Sequence, residues 1–285
     1  MNLKKLILFF VMVGGSVILC GQTMSDFREA AYRGDAQAQY NLGVCYENGC
    51  GVAQDYTQAS YWYLKAAEQG NANAQNNLGN IYYNGYGLIT KDYKQAAYWY
   101  SKAAEQGEAI GQYNLGRCYA RGDGVTRDYK QAEYWFRKAA EQGQVNAQYN
   151  LGTFYNEGKG VTKDYAHAAY WFRKAAEQGY VSAQYNLGVS YYEGWVTKDF
   201  TQAVYWFRKA AEQGDVSAQY NLGLCYEKGD GVGKDGNTAL YWYEKAKKNK
   251  DIMSAEDEEL SDKVEYKVAL MKQTGYSSSR AKINN

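Results

Sequence analysis

The sequence predicts an all-α protein, a right-handed α-solenoid of helix-turn-helix repeats, and three observations carry that prediction. Asn-Leu-Gly recurs with its Leu at 42, 78, 115, 151, 187 and 222. Trp62, Trp99, Trp135, Trp171, Trp206 and Trp242 keep the same period, with Trp195 outside the series. The 285 residues include 30 Gly and no Pro, so the helices end on glycine rather than being stopped by proline, as repeat arrays do. Composition removes other classes. With 32 Lys+Arg against 31 Asp+Glu there is no basic footprint for a nucleic-acid backbone. A mean hydropathy of −0.66 excludes a multi-span membrane protein. A single His forbids sites that need two imidazoles and makes a His-based triad a poor fit.

Residues 1–23 read as a signal peptide: Lys4 and Lys5 precede an apolar stretch, Leu6 to Leu19, shorter than the ~20 residues a membrane-spanning helix needs. Cleavage after Cys20 or Gly21 would release a soluble exported protein to the periplasm, cell surface or medium. A lipid anchor at Cys20 is the alternative, although Leu19 is bulky where such signals place small residues.

Residues 24–250 form a half repeat followed by six repeats. In the first, Ala38, Leu42, Cys45 and Tyr46 make the apolar stripe of helix A. Gly43 and its five counterparts sit inside that helix at a cost of ~1 kcal/mol, which predicts close approach by a neighbouring helix. Asp55 with Gln58 matches a capping box, and helix B follows with Ala59, Trp62, Tyr63, Ala66 and Ala67 inward and Gly70 as its left-handed cap. Length changes at Leu88-Ile89-Thr90 and Gly194-Trp195-Val196 mark surface loops. One hairpin cannot cover Trp and Leu on both sides, so stacking is obligatory. A different helix within 251–274, with Leu260, Val264, Val268 and Met271 on one face, covers the last hairpin, and 275–285 reads as a flexible polar tail.

The run Ala-x-Ala-Gln-Tyr-Asn-Leu-Gly-x-x-Tyr, then Gly-x-Gly-Val, then Asp-Tyr-x-Gln-Ala-x-Tyr-Trp-Phe-x-Lys-Ala-Ala-Glu-Gln-Gly resembles the Sel1-like repeat family, a relative of tetratricopeptide repeats. The resemblance implies a scaffold or adaptor with a protein partner. Exported bacterial relatives imply an envelope or host-interaction role, of the secretory immunoglobulin-binding kind. A cysteine-rich subgroup implies the alternative, a penicillin-binding, weakly β-lactam-hydrolysing protein, but its paired cysteines are absent here. The one Ser-x-x-Lys, Ser279 to Lys282, lies in the tail without supporting motifs.

Neither cofactor nor metal is expected, and no catalytic residue. Cys45, Cys118 and Cys225 share one helix A position and read as core fillers; Cys45 with Cys50 is the one pair close enough in sequence for a bridge. His167 stands where other repeats carry a capping Gln. Lys65, Lys102, Lys138, Lys174 and Lys209, each followed three residues later by Glu, read as a solvated face. Tyr40, Tyr113, Tyr149, Tyr185 and Tyr220 lie two residues before the core Leu, about 200° around the helix, and are expected partly exposed on the concave side beside Gln39, Gln112, Gln148 and Gln184. They either bind a partner or pack between successive A helices. Arg117 and Thr153, at a position that varies between copies, complete the candidate surface, with its centre on repeats 3 and 4.

Overall fold

Each repeat folds as it does because its local signals agree on two helices. Asp55 sits in extended backbone and its Oδ1 accepts from the amides of Thr57 and Gln58, starting one helix. Gly49 at φ 71° ends the helix before it, its amide donating to the Cys45 carbonyl. The computed structural model describes residues 10–13, 16–19, 24–249 and 258–281. After α1 (Met24–Tyr32) come the A/B pairs α2 (Ala36–Asn48) with α3 (Tyr56–Glu68), α4 (Ala72–Asn84) with α5 (Tyr93–Glu105), and α6 (Ala109–Arg121) with α7 (Tyr129–Glu141). Then follow α8 (Val145–Glu157) with α9 (Tyr165–Glu177), α10 (Val181–Glu193) with α11 (Phe200–Glu212), α12 (Val216–Lys228) with α13 (Gly236–Asn249), and finally α14 (Glu258–Gln273). Consecutive packing of such pairs is the α-solenoid class.

The chain divides into two compact units, 1–144 and 145–285, each holding three hairpins. In the first, Tyr40, Val44, Ala59, Tyr63, Ala74, Leu78, Ile81 and Trp99 form one core across two hairpins, and Ala96, Ala97, Tyr100, Leu115 and Cys118 continue it into the third. The half repeat α1 closes the end: Ala31 joins Ala38, Leu42 and Trp62. In the second unit, Val268 and Met271 of α14 complete the core of Leu240 and Tyr243.

The glycine after the core Leu of every A helix lies nearest an aromatic ring of helix B, with a helix B carbonyl also close at Gly116 and Gly152. A Cβ on Gly43 would stand 2.6 Å from Tyr63, and the same holds for Gly79 with Tyr100 and Gly223 with Tyr243. The capping box is half made. The amide that Gln58 would have taken already donates to the Tyr46 carbonyl at 2.9 Å, and the Asp92, Asp128, Asp164, Asp199 and Asp235 amides do likewise one repeat after another.

The structure adds detail at both ends of the chain and at one Trp. Strands β1 (Phe10–Val13) and β2 (Ser16–Leu19) pair antiparallel inside the segment read as a signal peptide, an apolar, β-branched run with a Gly-Gly pair between its halves. Residues 1–9, 14–15 and 20–23, and with them Cys20, lie outside the described residues, as do 250–257 and 282–285. The tail reading fails for 275–281. The residue that opens helix B is aromatic in five repeats and Gly236 in the last, and Tyr276 fills that room, 2.2 Å from where a Gly236 Cβ would be. The Ser277 amide donates to Asn237 Oδ1 at 2.9 Å, and Ser278–Arg280 form a 3-10 turn. Trp135 is half-buried, unlike the other five of its series.

Candidate functional site

The helix A tyrosines divide by depth. Tyr40 is 3% exposed, its ring packed on Tyr63, so it offers no contact area. Burial, then the charges of Glu47 and Glu108, push its hydroxyl up to about 12. Tyr113, Tyr149, Tyr185 and Tyr220 are half-buried and lean on the helix B ring of their own hairpin: Phe136, Phe172, Phe207 and Tyr243, at 5.7–6.1 Å between centroids. Burial, with Asp215 nearby, also raises the Tyr185 hydroxyl. Arg117 lies over two rings, Tyr83 at 5.4 Å and Tyr113 at 5.8 Å. Thr153 is half-buried, and its hydroxyl donates to the Tyr149 carbonyl at 3.2 Å. Tyr113 and Arg117 belong to the first unit, Tyr149, Thr153, Tyr185 and Tyr220 to the second.

The glutamines expected beside these rings are inside. Gln39 is 5% exposed; its Nε2 donates to the Ala31 carbonyl of the preceding helix, and its Oε1 accepts from Gln69 at 2.7 Å. Gln75 and Gln112 repeat the arrangement in the first unit, Gln184 and Gln219 in the second. Each one ties three helices with a satisfied buried amide, which accounts for its presence without a ligand.

Helix B carries a row that the sequence reading passed over. Tyr61, Tyr98, Tyr134, Tyr170 and Tyr205 are 46–51% exposed. Each stands edge-on to the Trp that follows it, at 4.9–5.0 Å. The lysine one turn on sits over each ring at 5.5–5.8 Å, the range of a cation–π contact. Only the Lys102–Glu105 member of the Lys/Glu series comes within 4.0 Å among the described residues, so the lysines pair with rings rather than carboxylates. The signal was in the sequence as a Tyr-Trp doublet in every repeat.

The remaining candidates are structural. Cys45, Cys50, Cys118 and Cys225 are buried and free of disulfides. Burial pushes the Cys118 and Cys225 thiols up to about 12, away from the reactive thiolate. His167 Nδ1 contacts Asp164 Oδ2 at 2.7 Å and its ring stacks on Tyr155, while the His167 amide and ring bonds hold the Asp164 carboxyl below its ordinary value. Among the described residues no three His, Cys, Asp or Glu side chains gather to hold a metal, and no helix is long and apolar enough to cross a membrane.

Stacked helix pairs with rows of half-exposed aromatic and basic side chains define a repeat scaffold. The Sel1 repeat family model matches residues 36–71, 72–108, 109–144, 145–180, 181–215 and 216–251, and the chain belongs to that family. It is similar to a protective antigen of uropathogenic Escherichia coli displaying an SLR fold, at 38% identity and TM-score 0.75, over 87% of this chain and 54% of that one. This chain therefore spans about half the antigen's length. A Sel1 repeat protein from Oxalobacter formigenes is similar at 35% identity and TM-score 0.69, over 84% of this chain and 68% of the other. No curated protein matches.

Proposed function

We propose that this Sel1 repeat protein is an exported scaffold that binds a protein partner through the helix B face. The supporting observation is the row of tyrosines about half exposed, each with a lysine over its ring, the aromatic and basic chemistry enriched at interface hot spots. Export rests on Lys4, Lys5 and the apolar stretch after them, and an envelope or host-facing role accords with the antigen it resembles. A second reading keeps the helix A candidates: Arg117 between the rings of Tyr83 and Tyr113 in the first unit, and Tyr149, Thr153, Tyr185 and Tyr220 in the second. The hydrolase alternative has little to stand on, since Ser279 lies in a 3-10 turn beside Ser277 rather than within an α-helix.

The test is affinity capture from an envelope fraction with the purified protein as bait, followed by titration of the captured partner. Tyr98→Ser with Tyr134→Ser should weaken binding by at least ~2 kcal/mol on the hot-spot scale while circular dichroism stays unchanged. Loss of binding in Arg117→Ala with Tyr113→Ser instead, the first pair binding normally, assigns the contact to helix A. Mass spectrometry of the exported chain separates a new N-terminus at residue 21 or 22 from a lipid-bearing Cys20.

A further inference from the structure

One repeat departs from the others in two places that meet at one cleft, beside an arginine. Helix α9 presents Ala166, Ala169, Tyr170 and Arg173 along a single face. With Tyr191 of α10 and the following Val196 and Thr197, they line a cleft of about 370 Å³. At the Ala166 position the other repeats carry Thr57, Lys94, Lys130, Thr201 and Asn237, and at the Ala169 position they carry Ser60, Ala97, Glu133, Val204 and Leu240. Two alanines in one repeat clear that face.

The loop on the far side is also altered. In other loops the second glycine is pressed against the residue that opens the preceding B helix: a Cβ on Gly124 would stand 2.0 Å from the Tyr93 carbonyl oxygen, and one on Gly231 2.3 Å from that of Phe200. The loop after α10 is one residue shorter and lacks this glycine. Trp195 instead stacks on Tyr165 at 5.1 Å, and Val196 and Thr197 face the cleft.

Arg173 stands on the same cleft. In α7 the arginine of this position, Arg137, donates to Glu133 four residues earlier. In α9 that carboxylate is Ala169. Arg173 donates to the Tyr191 hydroxyl and lies over the Tyr191 ring at 5.8 Å, as Arg208 does with Tyr226, and it has no carboxylate partner among the described residues; what Arg208 lacks is the pair of alanines and the shortened loop that open the cleft. A guanidinium offers five N–H donors in a fork matched to a carboxylate, and Arg173 is an exposed member of the cleft lining with donors beyond the one given to Tyr191.

We infer that this cleft binds a peptide carboxylate. The guanidinium of Arg173 takes the two oxygens, the Thr197 hydroxyl stands within the same lining, and Ala166, Ala169 and Val196 receive an apolar neighbour of the acidic group. The volume lies at the lower end of ligand pockets, enough for one or two residues of an extended chain. The carboxylate comes from a glutamate side chain or from a chain terminus. The inference stands apart from the helix B interface, and its failure leaves the Tyr98 and Tyr134 test untouched.

Fluorescence anisotropy with three dansylated peptides tests it: Gly-Ser-Leu-Glu-Leu-amide, Gly-Ser-Leu-Gln-Leu-amide, and Gly-Ser-Leu-Gln-Leu with a free terminus. At least one carboxylate peptide should bind at least tenfold more tightly than the neutral one, and which one does so identifies the source. Ala169→Glu, which restores the partner that α7 has, should weaken that peptide at least tenfold without loss of helicity, as should Arg173→Gln. Arg208→Gln, the same position one repeat on, should leave it unchanged. Equal binding of the neutral peptide, no binding of any peptide, no effect of Ala169→Glu, or an equal effect of Arg208→Gln overturns the assignment.

Discussion

Hairpins α2–α3 and α12–α13 carry the same hydrogen-bonded pair, a half-buried glutamate five residues after the core Leu and a buried tyrosine after the Trp, yet the two carboxylates are driven in opposite directions. Tyr63 donates to Glu47 Oε2 at 2.5 Å, and Tyr243 to Glu227 Oε2 at 2.5 Å. Burial pushes the Glu47 carboxyl above its ordinary 4.5, with the Tyr63 bond offsetting part of the rise. Burial acts on Glu227 too, but the Lys267 ammonium, 2.8 Å away on α14, and the Tyr243 hydroxyl outweigh it and leave the carboxyl below 4.5. The lesson is that a cap supplies charge as well as cover. It also explains why one helix B position holds both Tyr and Phe. Tyr63, Tyr100 and Tyr243 each have an acceptor in Glu47, Asn80 or Glu227.

The largest way to break the comparison is to remove the cap's packing. Met271→Ala, deleting a side chain 4% exposed against Leu240 and Tyr243, should cost about 2–5 kcal/mol. Hydrogen exchange should show the loss in α12–α13 and leave α2–α3 protected, because repeats lose stability locally. Uniform loss would mean the whole array melts as one unit.

Next in size are the tyrosine hydroxyls. Tyr63→Phe leaves Glu47 without its hydroxyl donor and should cost about 1–3 kcal/mol by denaturant titration. Tyr243→Phe should cost less, since Lys267 still holds Glu227.

Smaller again is the pH dependence. A carboxyl raised by folding gives stability that is complete below 4.5 and lost as pH rises through the folded value; one that is lowered gives stability present above 4.5 and lost as pH falls. Between neutral pH and about pH 4, wild type should therefore gain on Glu47→Gln and lose on Glu227→Gln. Parallel slopes in the two melting-temperature comparisons would remove Lys267 as the cause of the difference.

The smallest effect concerns Cys118 and Cys225, whose burial is alike in the two units. A thiol reagent without denaturant should label neither, and both should react once the chain is unfolded. Rapid native labelling of Cys225 alone would show that α14 opens.

Repeat number, helix order and helix ends were legible because Asp caps, glycines and Trp all point to the same bounds, as at Asp55, Gly70 and Trp62. What a single helix cannot reveal is the next layer. Angular position put Tyr40 and Gln39 on an open side, but the core of the following hairpin covers Tyr40, and the preceding helix takes the Gln39 amide. Lys65 looked like a partner for Glu68 by spacing alone, whereas the ring of Tyr61 lies within its reach on the same turn. The docking of Tyr276 had a sequence signal, the glycine at 236 in an otherwise aromatic series, whose meaning depends on a residue 40 positions away.

The glutamine junction has a consequence for how such a chain changes length. Gln69 meets Gln39 as Gln106 meets Gln75 and Gln213 meets Gln184, through the same atoms and with the same preceding-helix carbonyl. A unit that presents the same plug and socket at its two ends is exchangeable, so unequal recombination that inserts or drops one repeat's worth of codons leaves every remaining joint intact. Asn249, reaching Gln219 at 3.3 Å with a side chain one carbon shorter, stands at the last of these joints, next to the cap that cannot be copied.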